Sequence, residues 1–484
     1  MQCKYPGCGR EEKRDQCCIF HLRNKTAEEA AEFYRELVQY KKRKEEDPSA
    51  RCVDLEGFFF PGHECIFRDE HFKKDALFDD ATFGGDVSFD SATFDKEASF
   101  AGAMFSGRAS FVGATFSGGA WFDDTIFSGY AFFNSVLFST DATFDSATFT
   151  REALFLGAAF DGDASFRDAT FGGDAFFEHA TFSRHASFVD VTFGKDAMFF
   201  DVTFKNLLFH KAVLLGNVRL GARFDGIAVF EKVVFQRDTI ESSDLATATR
   251  GNIGLSVTSF DGAYVSEGAE VRFIQQREYN ASLDVERNLG IDRVSFLNVD
   301  LERFNFQQVE WGTLHGRRAV IEEVLMGRPP FEDVTPEQVR QICARLRANQ
   351  EKALRYAEAG DFFIGEMDMR RRWLRERGWR AFPERFLLSL FSGLSRYGES
   401  ISRPALATVI IVFVLVGLRL VLREPSEWHP YQPLSVEESL VRSVASFFQL
   451  RTTTLWTDIL ERLVSIPILG VLFIALRRKL ERRS

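Results

Sequence analysis

The chain has 484 residues, of which 45% are hydrophobic, so it is long enough for two or three domains and can bury a core. Its formal net charge of -10 is unevenly distributed, because residues 75–204 hold 20 Asp and Glu against six Lys and Arg, whereas the C-terminal part is basic. An acidic surface repels nucleic acid and anionic lipid, so the composition excludes both as partners of the central segment.

The cysteine content indicates a reducing environment. There are seven Cys, an odd number, and four of them lie in the first eighteen residues, MQCKYPGCGREEKRDQCC. This segment is polar and charged, whereas a signal peptide needs an apolar stretch. We therefore expect reduced thiols and a chain whose bulk lies in the cytosol.

Phe recurs with a period of eleven residues. Between Phe67 and Phe204 the spacing alternates between five and six, and an Ala or Val usually lies two places before each Phe. In an α-helix these positions would encircle the axis and form no apolar seam, which argues against a right-handed coiled coil. The Gly-Asp, Ser-Gly and Asp-Gly steps between them favour turns. The pattern therefore predicts a repetitive solenoid.

In a chain that turns a corner every five or six residues, the Phe and the small residue two places before it both point inward. Coils stacked at about 4.8 Å can hydrogen-bond to one another while their Phe rings stack. The expected fold is mainly β, a β-helix with a continuous aromatic core.

This pattern resembles the pentapeptide-repeat family, in its Phe-rich, eleven-residue branch. The resemblance is carried by triplets such as Ala81-Thr82-Phe83, Ala98-Ser99-Phe100 and Ala147-Thr148-Phe149. It implies a right-handed quadrilateral β-helix with four repeat units, or two eleven-residue periods, in each coil. The chain departs from the family's strict spacing of five by one extra residue in every second unit, which we expect to bulge at alternate corners.

The solenoid is predicted to span residues 51–315, with an irregular part at 241–292. That part is either an insertion or a set of coils with long loops, and we favour the coils. A last coil at strict spacing of five is predicted at Phe296, Leu301, Phe306 and Trp311.

Residues 1–50 are predicted to form a Cys/His cap and a capping helix. Cys3, Cys8, Cys18 and His21 provide the four soft ligands that a tetrahedral structural zinc site needs. The alternative is a small hydrophobic cap with reduced cysteines. The amphipathic segment 26–46 is expected to cover the open end of the solenoid.

Cys52, His63 and Cys65 could form a second metal cluster, but isolated core cysteines are the favoured interpretation.

Residues 330–400 are predicted to form a cytosolic helical hairpin, the neck. Thr335 and Gln338 form a capping box, and a break between two helices is expected at Gly360-Asp361. Glu366, Asp368 and Glu376 lie among Arg residues, a pattern more typical of ion pairs than of acid–base catalysis. No P-loop, G-x-S-x-G or G-x-G-x-x-G context occurs, so we expect no enzyme and name no catalytic residue.

Residues 401–484 are predicted to form a membrane module with spans at about 404–422 and 459–477. The second apolar stretch is short and could instead be a core helix. The neck sequence AGDFFIGEMDMRRR also resembles the linker of membrane-bound pentapeptide proteins. Arg residues before the first span and after the second predict a multi-pass protein with both termini in the cytoplasm. With the family resemblance, the expected location is the bacterial inner membrane.

The segment 435–454 is predicted to re-enter the membrane or to form a pore-like helix. The order of helix, short helix, Thr-rich segment and helix resembles the pore module of tetrameric cation channels. Thr452, Thr453 and Thr454 are the candidate pore-lining residues, although no TVGYG-like filter is present.

The predicted solenoid and membrane module suggest three functions. The first is an oligomeric, channel-like membrane protein, tetrameric if it conducts, with a solenoid that acts as scaffold or sensor. The second is a non-conducting, membrane-tethered scaffold that binds a protein partner through the acidic solenoid face. The third, implied by soluble relatives that mimic DNA, is topoisomerase binding, against which the membrane segment argues.

Overall fold

The computed structural model of the chain describes residues 2–5, 8–62, 67–235, 331–422, 435–449 and 456–481, and most of 258–328. The gaps in that last range are residues 262, 266, 268–269, 275–277, 281–284, 288–290, 292–293 and 308. His63, Cys65 and Thr452 to Thr454 lie outside the described residues. The chain forms two compact units, residues 1–333 and 334–484, which we describe separately.

The first unit is a parallel β-solenoid of about eight turns. Its short strands fall into four faces, and each strand pairs with the strand one coil away. Face 1 contains β2 (Phe59–Phe60), β5 (Thr82–Phe83), β9 (Met104–Phe105), β13 (Ile126–Phe127), β17 (Thr148–Phe149), β21 (Thr170–Phe171), β24 (Thr192–Phe193), β27 (Val213–Leu214) and β31 (Val234–Phe235). Face 2 contains β6 (Val87–Ser88), β10 (Ala109–Ser110), β14 (Ala131–Phe132), β18 (Ala153–Leu154), β22 (Ala175–Phe176), β25 (Ala197–Met198), β28 (Val218–Arg219), β32 (Thr258–Ser259) and β37 (Val294–Ser295).

Faces 3 and 4 are joined into one sheet, because two longer strands continue round the corner between them. Face 3 contains β3 (His71–Phe72), β7 (Thr93–Phe94), β11 (Thr115–Phe116), β15 (Leu137–Phe138), β19 (Ala159–Phe160), β29 (Arg223–Phe224) and β33 (Tyr264–Val265). Face 4 contains β1 (Cys52–Asp54), β4 (Asp75–Leu77), β8 (Ala98–Ser99), β12 (Ala120–Trp121), β16 (Ala142–Thr143), β20 (Ala164–Ser165), β30 (Ile227–Glu231), β34 (Glu270–Ile274) and β38 (Phe304–Gln307). The strands shared by both faces are β23 (Thr181–Val189) and β26 (Thr203–His210).

The strand register gives the length of a coil. Ala109 pairs with Ala131, exactly two eleven-residue periods along the chain, and the same step holds for most of the solenoid. After Phe182 the register shifts, so that His185 pairs with Asn206 and the step is one residue shorter. It is two residues shorter where Thr203 pairs with Arg223. The four strands in each coil and the step of two periods confirm the predicted β-solenoid.

The corners of a coil are of two kinds, and the extra residue lies in every second one. Asp79 and Asp80 form the short corner between β4 and β5, and Asp80 has a φ of +54°. The long corner between β5 and β6 contains residues 84–86. A positive φ returns every eleven residues, at positions filled mainly by Asp, Ser and Gly, which tolerate this conformation better than most residues.

Aromatic rings fill the interior. Phe89 stacks on Phe111 of the next coil, with ring centroids 4.8 Å apart and planes 2° from parallel. It also meets Phe100 edge to face at 5.4 Å. Both arrangements suit the charge distribution of aromatic rings. Each Phe is therefore packed against the stacked rings above and below it and against the rings of a second stack inside the solenoid. The exposed fraction of these three side chains is 0%.

Described strands after Phe235 pair with strands of the preceding coils. β32 pairs with β28, so Thr258 lies beside Val218, and β34 pairs with β30. An antiparallel hairpin of β35 (Glu278–Asn280) and β36 (Val285–Arg287) lies between β34 and β37. The described strands β32 and β34 therefore continue the parallel pairing of the coils before them. The four predicted residues of the last coil, Phe296, Leu301, Phe306 and Trp311, are all buried.

Both ends of the solenoid are covered. At the N-terminal end, helix α1 (Ala27–Glu46) begins at a capping box of Thr26 and Glu29 and buries Phe33, Leu37 and Tyr40. At the C-terminal end lie a hairpin of β39 (Gly312–Leu314) and β40 (Arg317–Ala319) and helix α2 (Ile321–Leu325). These elements shield strand edges that would otherwise be free to pair with other chains.

The second unit is helical in its described residues. Its helices are α3 (Pro336–Lys352), α4 (Tyr356–Glu376), α5 (Phe382–Ser395), α6 (Ser402–Val421), α7 (Val436–Phe447) and α8 (Trp456–Glu481), with a 3₁₀ turn at Gly378–Ala381. The capping box predicted at Thr335 begins α3. The predicted break at Gly360 is wrong, because α4 continues through this residue and the chain turns at Leu354, which has a φ of +59°. Gly360 is instead buried inside α4.

Candidate functional sites

The four predicted metal ligands meet in the N-terminal cap. The ligand atoms of Cys3, Cys8, Cys18 and His21 all lie within 4.8 Å of one another. His21 Nδ1 is 3.2 Å from Cys18 Sγ and 3.6 Å from Cys3 Sγ, and Cys8 Sγ is 3.7 Å from Cys18 Sγ. Zn–S bonds of about 2.3 Å and Zn–N bonds of about 2.0 Å in a tetrahedron give S···S and S···N edges of about 3.8 and 3.5 Å. These three spacings, 3.2–3.7 Å, are close to the tetrahedral edges.

The surroundings of His21 orient it for this role. Its Nε2 lies 3.3 Å from the carbonyl oxygen of Glu56, so a proton on Nε2 leaves Nδ1 free to face the cysteines. The Tyr5 ring stacks on the imidazole with centroids 4.0 Å apart. Burial lowers the pKa of His21 to about 4, which keeps the ring neutral, the form that binds metals.

The cysteines differ in their environments. Burial raises the pKa of Cys18 to about 12, so its thiolate needs a nearby cation for stabilisation. Arg10 Nη1 lies 3.6 Å from Cys8 Sγ, and its guanidinium stacks over the rings of Phe20 and Tyr40. A bound divalent metal would provide the rest of the positive charge. Cys17 is adjacent in sequence but lies outside the cluster.

The acidic residues of the solenoid have an internal role. Ten of the 20 carboxylates between residues 75 and 204 accept a hydrogen bond from a backbone N–H of the next coil. They are Asp75, Asp79, Asp86, Asp90, Asp123, Asp141, Asp145, Asp163, Asp174 and Asp196. Asp86 Oδ1, for example, accepts from Arg108 N at 2.8 Å. Half of the negative charge therefore connects consecutive coils, and acidity alone does not define a partner-binding surface.

Face 2 carries an apolar column on its outer side. Phe132, Leu154, Phe176 and Met198 occupy equivalent outward positions in four consecutive coils and pair in register. Phe200, beside the column, is 50% exposed. In the same four coils, the corresponding positions on face 1 are Thr at β17, β21 and β24 and Ile126 at β13, which is 37% exposed. The four column side chains are half-buried, so they form a partly exposed apolar strip on this face. The Phe period does not predict the strip, because that period concerns the inward residues.

In the neck, two of the three acidic residues singled out from the sequence, Glu366 and Asp368, form ion pairs. Glu366 Oε2 lies 3.2 Å from Arg347 Nε, and Asp368 Oδ1 lies 3.2 Å from Arg371 Nη2. Asp368 also accepts a hydrogen bond from Tyr397 Oη at 2.8 Å. These contacts connect α3, α4 and the turn after α5.

Helix α6 has the length and composition of a membrane span, and it is the one helix among the described residues that meets both criteria. Its outward side chains include Leu406, Phe413 and Val414, which are 61–64% exposed. Arg419, in the last turn of α6, is buried and donates from Nε to Ser443 Oγ at 3.1 Å.

Helix α7 has its polar side inward and its apolar side outward. Ser439, Arg442, Ser443 and Ser446 are buried against its neighbours, whereas Val436 and Val441 are 65% exposed and Phe448 is 47% exposed. Phe447 is the exception and packs with Val412 and Val416 of α6 and Ile468 of α8. A water-soluble helix shows the opposite arrangement.

These features define the class of the first unit: a parallel β-solenoid whose coil is built from four short repeats around a Phe core. The family model described as pentapeptide repeats (9 copies) matches residues 67–115, 91–137, 122–170 and 155–203. Residues 67–203 are therefore a pentapeptide-repeat solenoid. No curated protein and no solved structure matches the chain.

Proposed function

We propose that the chain is an integral membrane protein whose cytosolic pentapeptide-repeat solenoid acts as scaffold or sensor for an oligomeric, ion-channel-like module. The inverted polarity of α7, together with the apolar exterior of α6, carries this proposal. Side chains such as Val436 and Val441 are exposed to solvent in the isolated chain and need an apolar medium. A bilayer around α6 and α7 provides that medium.

The dimensions of α6 agree with a span. Its 20 residues correspond to about 30 Å of helix, the thickness of the hydrocarbon core. The second proposed span lies within α8, where the apolar stretch from Leu463 to Leu476 is shorter. Leu463 and Phe473 are 65% and 66% exposed, which suits contact with lipid. The proposed topology has two spans with α7 between them and both termini in the cytoplasm of a bacterial cell.

The channel-like part of the proposal rests on the order α6, α7, α8 and on the polar interior between α6 and α7. Arg419, Ser443 and Ser446 provide hydrogen-bonding groups inside an apolar exterior, as a structure that moves or senses ions requires. Thr452, Thr453 and Thr454 remain the candidate pore-lining residues, and a conducting form would be a homotetramer.

Two measurements test this function. Alkaline carbonate extraction of membranes that contain the full chain should leave the protein in the pellet, and release into the supernatant would overturn membrane integration. Liposomes with the purified protein should then show ion flux that is reduced when Thr452, Thr453 and Thr454 are replaced by Val. A membrane-integrated tetramer without flux would overturn the channel.

A non-conducting scaffold is the second candidate, and the outer apolar column of face 2 favours it. In this function the solenoid binds a protein partner in the cytosol while the C-terminal helices hold it at the membrane. A photo-crosslinking residue at Phe176 should attach to the partner in cells, whereas one at Thr170 on face 1 serves as the matched control. Equal labelling from both positions would count against face 2 as the binding surface.

We further propose that the cap binds one structural Zn²⁺ through Cys3, Cys8, Cys18 and His21. The tetrahedral spacing and the Nε2 contact of His21 to Glu56 support it. A site with four protein ligands has no open position for substrate, so the metal would stabilise the cap and would not take part in a reaction.

A further inference from the structure

Helix α5 presents an apolar surface to its surroundings. Phe382, Phe386, Leu387 and Leu390 are 44%, 56%, 63% and 42% exposed, and Trp379 just before the helix is 89% exposed. At 100° per residue the four α5 side chains cover an arc of about 140°. They therefore form one face and are not scattered.

The opposite side of α5 is packed, so the helix cannot turn this face inward. Leu388 and Phe391 contact a cluster of Phe363, Ile364 and Tyr397. The following turn is fixed as well, because the N–H of Gly398 donates to Ser395 Oγ at 2.8 Å. Tyr397, which is fully buried, donates to Asp368 on α4, and the exposed face of α5 therefore has a defined direction.

A basic border lies next to this face. Between residues 370 and 385 there are seven Arg and two Glu. Arg372, Arg375 and Arg380 are exposed, and the guanidinium of Arg385 lies over the Phe382 ring at 5.7 Å. Aromatic and aliphatic side chains beside exposed Arg are the combination that binds at the boundary between lipid headgroups and acyl chains.

We propose that α5 lies in the plane of the membrane on an anionic lipid surface, with its apolar face in the acyl boundary and the Arg residues on the headgroups. The occupant is lipid rather than a second protein, since the border is cationic and α6, the apolar helix, begins seven residues after α5 ends. This inference rests on the proposed membrane integration. It adds that membrane contact by α5 requires anionic lipid, whereas a membrane span alone does not.

The test uses the emission of Trp379 in the full chain reconstituted into nanodiscs. The difference between the wild-type spectrum and that of W379F isolates this residue from the other five Trp. In nanodiscs rich in phosphatidylglycerol, Trp379 emission should shift to the blue and lose most of its intensity when the acyl chains are brominated. In phosphatidylcholine nanodiscs both effects should weaken. Emission typical of water in both lipids would overturn the proposal, as would quenching that is independent of lipid charge.

Matched variants separate contact with lipid from misfolding. Replacing Phe386, Leu387 and Leu390 with Ser should abolish the blue shift of Trp379, while L354S, at an exposed apolar position in the turn before α4, should retain it. If the triple variant kept the blue shift, the apolar face would not be the contact.

The carbonate and Trp379 experiments distinguish failure of the proposed membrane span from failure of the proposed lipid site on α5. If carbonate releases the chain but the chain still floats with phosphatidylglycerol vesicles, the span is wrong and the lipid site is retained. This flotation should then be lost when the α5 face is replaced. A carbonate-resistant chain with Trp379 in water retains the span without the lipid site. Self-association in detergent that depends on the α5 face, with no lipid effect, would assign the face to a second copy and overturn the proposal.

Discussion

Arg317 and Glu323 form a buried, two-pronged ion pair at the C-terminal end of the solenoid. Arg317 Nη1 lies 3.0 Å from Glu323 Oε2, Nη2 contacts the other carboxylate oxygen, and the two side chains are 3% and 1% exposed. The pair joins the hairpin strand β40 to helix α2, the last elements of the first unit. A buried pair that loses one partner leaves an uncompensated charge, so these contacts hold the end of the aromatic core closed.

Replacing Glu323 with Gln should destabilise this end by about 3–5 kcal/mol. The effect should be local because a solenoid coil contacts only its neighbours. Hydrogen exchange should accelerate in residues 294–325 and remain unchanged near residue 130. The exposed Glu332 provides the control, since E332Q should leave the exchange rates as they are. An E323Q chain with wild-type protection would show that the pair contributes no net stability.

Phe132 and Phe133 are adjacent in the chain, but Phe132 lies on the outer side of face 2 and Phe133 lies in the core. Phe133 is fully buried and stacks on Phe155 at 4.8 Å, whereas the preceding Phe132 points outward. F133A should lower the free energy of unfolding by about 3–5 kcal/mol because it opens a cavity in the ring column. F132A should cost less than half of that, as measured by chemical denaturation. Equal losses of unfolding free energy in F133A and F132A would contradict the assignment of Phe133 to the core and Phe132 to the surface.

Glu322 should make the stability of the C-terminal end depend on pH. Its carboxyl is fully buried and accepts hydrogen bonds from Ser295 Oγ and Phe296 N at 2.9 and 2.6 Å. Burial, only partly opposed by these bonds, raises its pKa to about 7 from an ordinary value of 4.5. The folded chain thus binds a proton that the unfolded chain has lost, so the stabilising contribution is complete below pH 4.5 and is lost as pH rises through 7.

Between pH 5.5 and 8 the opening free energy of residues 294–325 should fall by up to about 2 kcal/mol through this group. E322Q should remove most of that slope, and E332Q should preserve it. Hydrogen exchange at several pH values, corrected for the intrinsic exchange rate, provides the measurement. A slope that is unchanged in E322Q would assign the pH dependence to other groups.

The cap should contain one Zn²⁺ per chain, and its loss should unfold the first residues. C18S and C8S should lower the zinc content, measured by mass spectrometry of the purified chain, to near zero. C17S is the control, because Cys17 neighbours a ligand but lies outside the cluster. Chelation should expose α1 to protease in the wild type. Zinc retained in C18S would show that the four residues are not the ligands.

The solenoid could be predicted from the sequence because its side chains repeat in the chain as they repeat in space. Each Phe of the period lies near the Phe two periods further along the chain, as Phe100 and Phe122 do at 4.9 Å. The cluster of Cys3, Cys8, Cys18 and His21 could be predicted for a similar reason, since soft ligands such as Cys8 and His21 are few and close in sequence. Both predictions depend on local spacing alone.

Features that depend on tertiary contact were not predictable. The break between α3 and α4 lies at Leu354, since burial of Gly360 within α4 outweighs its low helix propensity. The pair of Arg317 and Glu323 looks like ordinary surface charge in the sequence. The hydrogen bond of Arg419 to Ser443 joins two helices that are far apart along the chain, and no periodicity connects them.

The alternation of short and long corners restricts how the gene can change in length. One inserted residue would move an inward Phe such as Phe111 to the outer surface, and a single added period would superpose face 1 on face 3 and mismatch their outward side chains. A duplication of two whole periods, by contrast, adds a coil whose Phe rings and Asp acceptors meet identical partners above and below. Homologues should therefore differ in this region by whole coils, with smaller differences confined to the part of the chain after Phe235.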